Sequence, residues 1–190
     1  MNDRERWEER HRASPERAAP SPFVARHVAA IASTAPGKLA LDVACGSGRH
    51  VLLLRQYGFR AVAVDRANAA CQRVAVEIAG AQVVAADASA LPFRAASFTL
   101  IVQTQFLERL RLPDLLRLLV PRGVLLLETF LLAQYEATGH PRREFCLLPG
   151  ELPQLCTAAG VAVEVLETRE GIVPTNTGVA HLASIAVCKV

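Results

Sequence analysis

The sequence predicts an α/β protein built on one mainly parallel sheet with helices on both faces. Two observations carry that prediction. Short apolar runs alternate with segments of helical spacing along most of the chain, and strands joined through helices run parallel and are covered on both sides. The first two apolar runs, 39–43 and 60–65, also carry an acid at or near their ends. A glycine turn and one helix lie between them, the arrangement of a nucleoside-binding βαβ unit. The 190 residues, 52% of them hydrophobic, suffice for one domain with a sizeable core.

Residues 2–17 are dense in Arg and Glu, show helical spacing without an apolar stripe, and end at Pro15 and Pro20. We read 1–22 as a charged arm and 23–190 as the domain proper. The arm is too poor in apolar residues to fold by itself, which predicts a lid that orders when it closes over a ligand. A helix over 23–32 leads through Pro36 and Gly37 into the first strand. Further helices are expected over 49–57, 67–79 and 113–119. Further strands are expected near 83–87, at 98–103, and after a turn at Pro121-Arg122-Gly123 up to Glu128. Residues 131–149 then read as a long irregular segment. A helix over 150–159 and two valine-rich strands, 161–168 and 181–189, complete the chain. Little separates those last strands except Gly171, Pro174 and Gly178, so they pair as an antiparallel hairpin.

The turn Asp42-Val43-Ala44-Cys45-Gly46-Ser47-Gly48 narrows the ligand. Asp65 stands 19 positions after Gly46, so an acid at the tip of the second strand can accept hydrogen bonds from both hydroxyls of a ribose lying over the turn. A dinucleotide site needs a third small residue, three positions after the second glycine, so that the helix packs closely and its N-terminus cradles pyrophosphate. Val51 stands there instead. Asp42 would repel a pyrophosphate, but it suits a ligand bearing an ammonium and a sulfonium. S-Adenosylmethionine is the ligand implied, and Val51 and Asp42 together disfavour an NAD(P)-linked oxidoreductase.

With these motifs the chain resembles the class I methyltransferases. Their first motif is an acid followed by alternating small residues, here Asp42-x-Ala44-x-Gly46-x-Gly48, with Ala44 where the family usually has Gly. The run Val83-Val84-Ala85-Ala86-Asp87-Ala88, followed by Leu91-Pro92-Phe93, resembles the family's adenine-binding turn. The resemblance implies a Rossmann-like, doubly wound seven-stranded sheet in the order 3-2-1-4-5-7-6 with strand 7 antiparallel, and a ligand at the carboxyl ends of the strands. It implies cofactor contacts from Trp7, Asp42, Ala44, Gly46, Gly48, Asp65, Arg66, Asp87, Ala88 and Gln103. In this set Asp87 accepts from the exocyclic amine of adenine and the Ala88 amide donates to the ring. The flanks, Trp7-Glu8-Glu9-Arg10-His11, Thr129-Phe130, Gly139-His140-Pro141-Arg142-Arg143 and Leu147-Leu148-Pro149-Gly150, are similar to the small bacterial methyltransferases of the tellurite-resistance type. Those usually have Tyr or Phe where His11 stands. That likeness implies methyl transfer to a small molecule, a chalcogen oxyanion or a thiol-like nucleophile. Arg142 and Arg143 would hold an anion and His140 would move a proton. The alternative is a non-catalytic S-adenosylmethionine-binding regulatory protein, which the departures at His11, Arg122 and Gln103-Thr104-Gln105 keep open.

Enzymes that methylate base amines carry an Asn/Asp-Pro-Pro-aromatic turn after the fourth strand, whereas this chain has Gln103-Thr104-Gln105-Phe106. The net charge of +3 comes almost wholly from scattered arginines, so no nucleic-acid partner is expected. Five cysteines, an odd count without Cys-x-x-Cys, read as reduced thiols of a cytoplasmic protein with no metal site. Cys45, inside the glycine turn, reads as a small packing residue whose pKa the following helix N-terminus lowers. His50 reads as structural, His27 and His181 as packing or surface residues, and His11 as a residue able to touch substrate. Neither a leader nor a membrane span is expected, and the assembly is expected to be a monomer or homodimer.

Overall fold

The computed structural model describes residues 3–13, 17–175 and 178–190. Its strands are β1 (Leu39–Val43), β2 (Arg60–Asp65), β3 (Gln82–Ala85), β4 (Phe98–Thr104), β5 (Leu119–Phe130), β6 (Val163–Thr175) and β7 (Gly178–Lys189). They form one sheet in the order 3-2-1-4-5-7-6, with β1 to β5 parallel and β7 antiparallel to both of its neighbours. The helices are α1 (Asp3–Ala13), α2 (Pro22–Thr34), α3 (Arg49–Gln56), α4 (Asn68–Glu77), α5 (Leu112–Leu118), α6 (Leu132–Thr138) and α7 (Glu151–Thr157).

The alternation of side chains along each strand divides the core in two. Leu41, Val43, Ile101, Leu125 and Leu127 face a cluster completed by α5 and α7, while Ala40, Leu100, Val102 and Leu126 face one completed by α2, α3 and α4. Because both faces are covered, the central strands read as unbroken apolar runs, and polar residues are tolerated chiefly at their carboxyl ends. Ser21 starts α2 by accepting from the Val24 amide, with Pro22 at the first helical position. Gly48 (φ +78°) opens α3, and a Cβ there would lie 2.8 Å from both Val74 Cγ2 and Ile78 Cδ1 of the α4 region.

The structure departs from the sequence reading or adds to it at four places. The charged arm is already the helix α1, docked on α4: the Glu8 carboxylate accepts from the Ala69 amide at 3.1 Å, and Trp7 stacks on His11. Contacts with α4 and a half-buried tryptophan supply what its composition alone does not. The irregular segment 131–149 contains α6 and a 3-10 turn at Arg143–Phe145. Leu131 and Leu147 bridge as strand residues, and the Leu132 amide donates to Leu147 O, so the loop closes on itself. The last hairpin is longer than its valines mark, since Thr175 pairs with Gly178 and β6 and β7 outrun the end of β5. The turn at Pro121-Arg122-Gly123 is a bulge inside β5: the pairing jumps from Leu119 to Val124, with Arg122 at φ +65°.

Candidate active site

The carboxyl ends of β1 and β2 are tied by the glycine turn. Cys45 N donates to Val64 O at 2.9 Å and Gly48 N to Cys45 O at 2.9 Å. Ala44 and Gly46 take positive φ, +56° and +52°. The methyl of Ala44 therefore sits in the left-handed region, at a cost of about 1 kcal/mol. Asp65 is the hub of this turn: Oδ2 accepts from Gly46 N and Oδ1 from Ala67 N, both at 2.9 Å. Each carboxylate oxygen keeps a second lone pair for a ribose hydroxyl.

Asp42 lies beneath, 1% exposed, and among the described residues its Oδ2 has no hydrogen-bond partner. Burial pushes its pKa up to about 8, the Arg49 guanidinium pulling it down and Asp65 adding to the rise. Burial also raises the Cys45 thiol well above its ordinary value, with Asp42 and Asp65 adding to it. The lowering expected from the α3 N-terminus is thus overturned, because desolvation and two nearby carboxylates outweigh a partial positive charge.

His11 covers the turn. A Cβ on Gly46 would lie 3.2 Å from its Cε1, and burial lowers its pKa while Asp65 raises it. Arg17 donates to Ser47 O at 2.7 Å and pairs with Glu77 at 2.7 Å, strapping the end of the charged arm across the same turn. On the far side, Asp87 accepts from Ser89 N at 2.9 Å, the main cause of its lowered pKa. It lies 4.0 Å from Arg66 Nε. Ala88 opens the 3-10 turn Ala88–Ala90, and Asp87 keeps half its side chain exposed.

A second set of polar groups occupies the ends of β4, β5 and β7. Thr104 pairs in register with Glu128, and Glu128 with Ser184, so three polar side chains form a row across three strands. Ser184 Oγ donates to Glu128 Oε2 at 2.8 Å. Arg49, at the start of α3, donates to Thr104 Oγ1 at 3.2 Å and feels both Asp42 and Glu128. His50 is buried beneath. Its Nε2 accepts from Ser21 N at 3.1 Å, which puts its hydrogen on Nδ1, 3.4 Å from Thr104 Oγ1. Burial lowers its pKa to about 3, with Arg49 adding to the fall, so the imidazole is neutral. Gln103 points to the opposite face and donates to Phe106 O at 3.0 Å. Sequence reasoning missed Arg49, Glu128 and Ser184. The available signal was an acid closing an otherwise apolar buried strand, the same pattern that drew attention to Asp42.

His140, Arg142 and Arg143 lie exposed between α6 and α7. Arg142 pairs with Glu144 at 3.2 Å and lies over the Phe145 ring. Among the described residues, no bond links these three to the glycine turn.

Residues 41–127, the span that holds both acid-tipped strands and the polar end of β4, match the methyltransferase domain family. Over that span the chain is similar to a methyltransferase domain. A domain of this family implies S-adenosylmethionine as cofactor, and the acids Asp42, Asp65 and Asp87 at successive strand ends fit it. The whole chain shares its fold with solved structures. One is an S-adenosylmethionine-dependent methyltransferase from Methanosarcina mazei, with TM-score 0.69, 22% identity, 90% of this chain and 99% of that one. Another comes from work on conversion of a disulfide bond into a thioacetal group during echinomycin biosynthesis, with TM-score 0.75, 16% identity, 99% of this chain and 93% of that one. A third is the [4+2]-cyclase SpnF, with TM-score 0.67, 17% identity, 93% of this chain and 84% of that one. No curated protein matches the sequence.

Proposed function

We propose that the protein transfers a methyl group from S-adenosylmethionine to a small-molecule acceptor. The observation that carries this reading is the buried, unpartnered oxygen of Asp42 beside Asp65 on the glycine turn. A carboxylate kept in that setting is costly unless a cationic ligand meets it. When bound, the cofactor supplies an electrophilic methyl on a sulfonium, and the chain has to hold, orient and desolvate it. Asp42 faces its cationic end, and Gly46 and Gly48 allow its close approach. The second lone pairs of Asp65 take the ribose hydroxyls, while Asp87 and the Ala88 amide read the adenine, with Arg66 beside them. Trp7, with Ala44 and Gln103, borders the same space, and α1 closes over it.

The acceptor is a soft, thiol-like nucleophile or a chalcogen oxyanion. Arg142 and Arg143 hold its charged end when the loop after β5 folds inward, and His140 moves a proton. Five free, buried cysteines and the lack, among the described residues, of a helix long and apolar enough to cross a membrane support a cytoplasmic setting. A second reading, cofactor binding without turnover, is favoured by the exposure of the His140 loop and the pairing of Arg142 with Glu144.

Calorimetry with S-adenosylhomocysteine tests the cofactor: binding is expected, and no response to NAD. Release of S-adenosylhomocysteine from S-adenosylmethionine over a panel of thiols, selenite, tellurite, carboxylates and phenols separates the two readings. Binding without turnover on any of them favours the second.

A further inference from the structure

The row Thr104–Glu128–Ser184 carries an inference that rests on the methyltransferase reading and refines its acceptor. The strand order puts β2 and β3 on one side of β1 and β4, β5 and β7 on the other. A ligand whose ribose and adenine are held by Asp65 and Asp87 therefore extends its other end toward β4 and β5. The side chains that meet it there lie on the α3 face. Glu128 is 3% exposed. Ser184 fixes one of its oxygens by donating to Oε2 at 2.8 Å. Thr104 is equally constrained. Arg49 Nη2 donates to its Oγ1 and His50 Nδ1–H is aimed at the same oxygen, so its hydroxyl hydrogen is left to donate outward.

We propose that Glu128, anchored by Ser184 and flanked by the Thr104 hydroxyl, forms the wall of the acceptor site next to the reacting methyl, and that this wall selects an acceptor presenting a proton-bearing nucleophile. A buried carboxylate accepts a hydrogen bond from S–H, N–H or O–H and repels an anion at the same place. Of the acceptors considered above, a thiol fits this wall and a selenite or tellurite anion does not. Any anionic group of the acceptor belongs at its far end, toward Arg142 and Arg143. Glu128 is here a specificity residue, and Ser184 a positioning residue that acts through it.

The test needs no knowledge of the acceptor. Sinefungin carries an amine where the sulfonium carries its methyl, so its ammonium reports the charge of whatever wall the methyl faces. Calorimetry on the full chain is expected to show sinefungin binding more tightly than S-adenosylhomocysteine. In Glu128→Gln the preference should shrink by roughly tenfold while S-adenosylhomocysteine affinity holds, the effect of one lost charge-assisted hydrogen bond. Ser184→Ala, which keeps the carboxylate but frees it, should reduce the preference by less, and it serves if the glutamine variant does not fold. A preference unchanged in these variants overturns the wall while leaving the cofactor reading intact. Failure of both analogues to bind the wild-type protein overturns that reading and the wall with it.

Discussion

The glycine turn and the loop after β5 both carry charged residues assigned to the proposed transfer site, but they are built oppositely. At the turn, Asp65 is 6% exposed and both of its oxygens are bonded to backbone amides, Asp42 is buried, and His11 and Arg17 close over the strand ends. In the loop, His140, Arg142 and Arg143 are exposed, and Arg142 is engaged with its own neighbour Glu144. The turn is preorganised for a ligand of one charge pattern. On the proposed reading, the cofactor binds to the preformed first region, while the exposed loop would grip the far end of an acceptor only after changing shape.

The largest expected effect that would break this contrast is at Asp65. Asp65→Ala strips the acceptor from two backbone amides as well as from the ribose. Cofactor affinity should fall by on the order of 2 kcal/mol, with a loss of folding stability of similar size, because buried donors are left unpaired. Unchanged calorimetric affinity in that variant would mean that the turn does not hold the ribose.

Asp42 sharpens the contrast through pH. Its folded pKa of about 8 lies above its ordinary 3.8, so the stability linked to its proton is whole below 3.8 and is lost as pH rises toward and through 8. Asp42→Asn should therefore raise the melting temperature of the ligand-free protein at pH 8, by more than about 3 °C, while weakening cofactor binding. A cationic ligand favours the ionised carboxylate, so binding at pH 7 should release up to one proton in the wild type and none in the variant. Calorimetry in buffers of different ionisation enthalpy reads that proton.

His50 behaves with the opposite sign. Its folded pKa of about 3 lies below the ordinary 6.5, so its contribution is whole above 6.5 and drains as pH falls through that window toward 3. His50→Gln, whose amide can still accept from Ser21 N, should flatten the acid limb of the stability curve between pH 6.5 and 4. A limb as steep as the wild type's would mean that another group drives acid unfolding.

The smallest effects belong to the loop. Arg142→Ala and Arg143→Ala should change folding stability by no more than about 0.5 kcal/mol, as solvated surface charges do. They should leave S-adenosylhomocysteine affinity nearly untouched and raise the acceptor KM. A large loss of stability, or of cofactor affinity, would show the loop to be built into the turn after all.

The sheet was legible in the sequence because its strands are apolar runs punctuated by Gly, Pro and acids, and because both faces are buried. The order 3-2-1-4-5-7-6 came from the family resemblance, and the register of the strands bears it out. Asp42 and Asp65 stood out as polar residues at the ends of such runs. Glu128 ends a run in the same way, but Ser184 and Arg49 acquire meaning only from cross-strand register and from the start of α3, which no local pattern reports. The docking of α1 was hidden for a similar reason: its stability comes from contacts with α4 rather than from its own composition. The neutral His50 was read as structural, and its buried bonds to Ser21 and Thr104 agree with that.

The two glycines of the turn would not survive the loss of activity equally. Gly48 is required by packing alone, since any side chain there would strike Val74 and Ile78 at 2.8 Å, backbone and ligand aside. Among the described residues, a Cβ on Gly46 would meet only the His11 ring of α1 within 4 Å. A descendant of this protein that had given up its cofactor would still carry Gly48 to keep its helices together, whereas at Gly46 (φ +52°) a small side chain would cost about 1 kcal/mol, as at Ala44, and a small shift of His11. Among diverging copies of this chain, the second glycine records inheritance of a fold and the first records continued use.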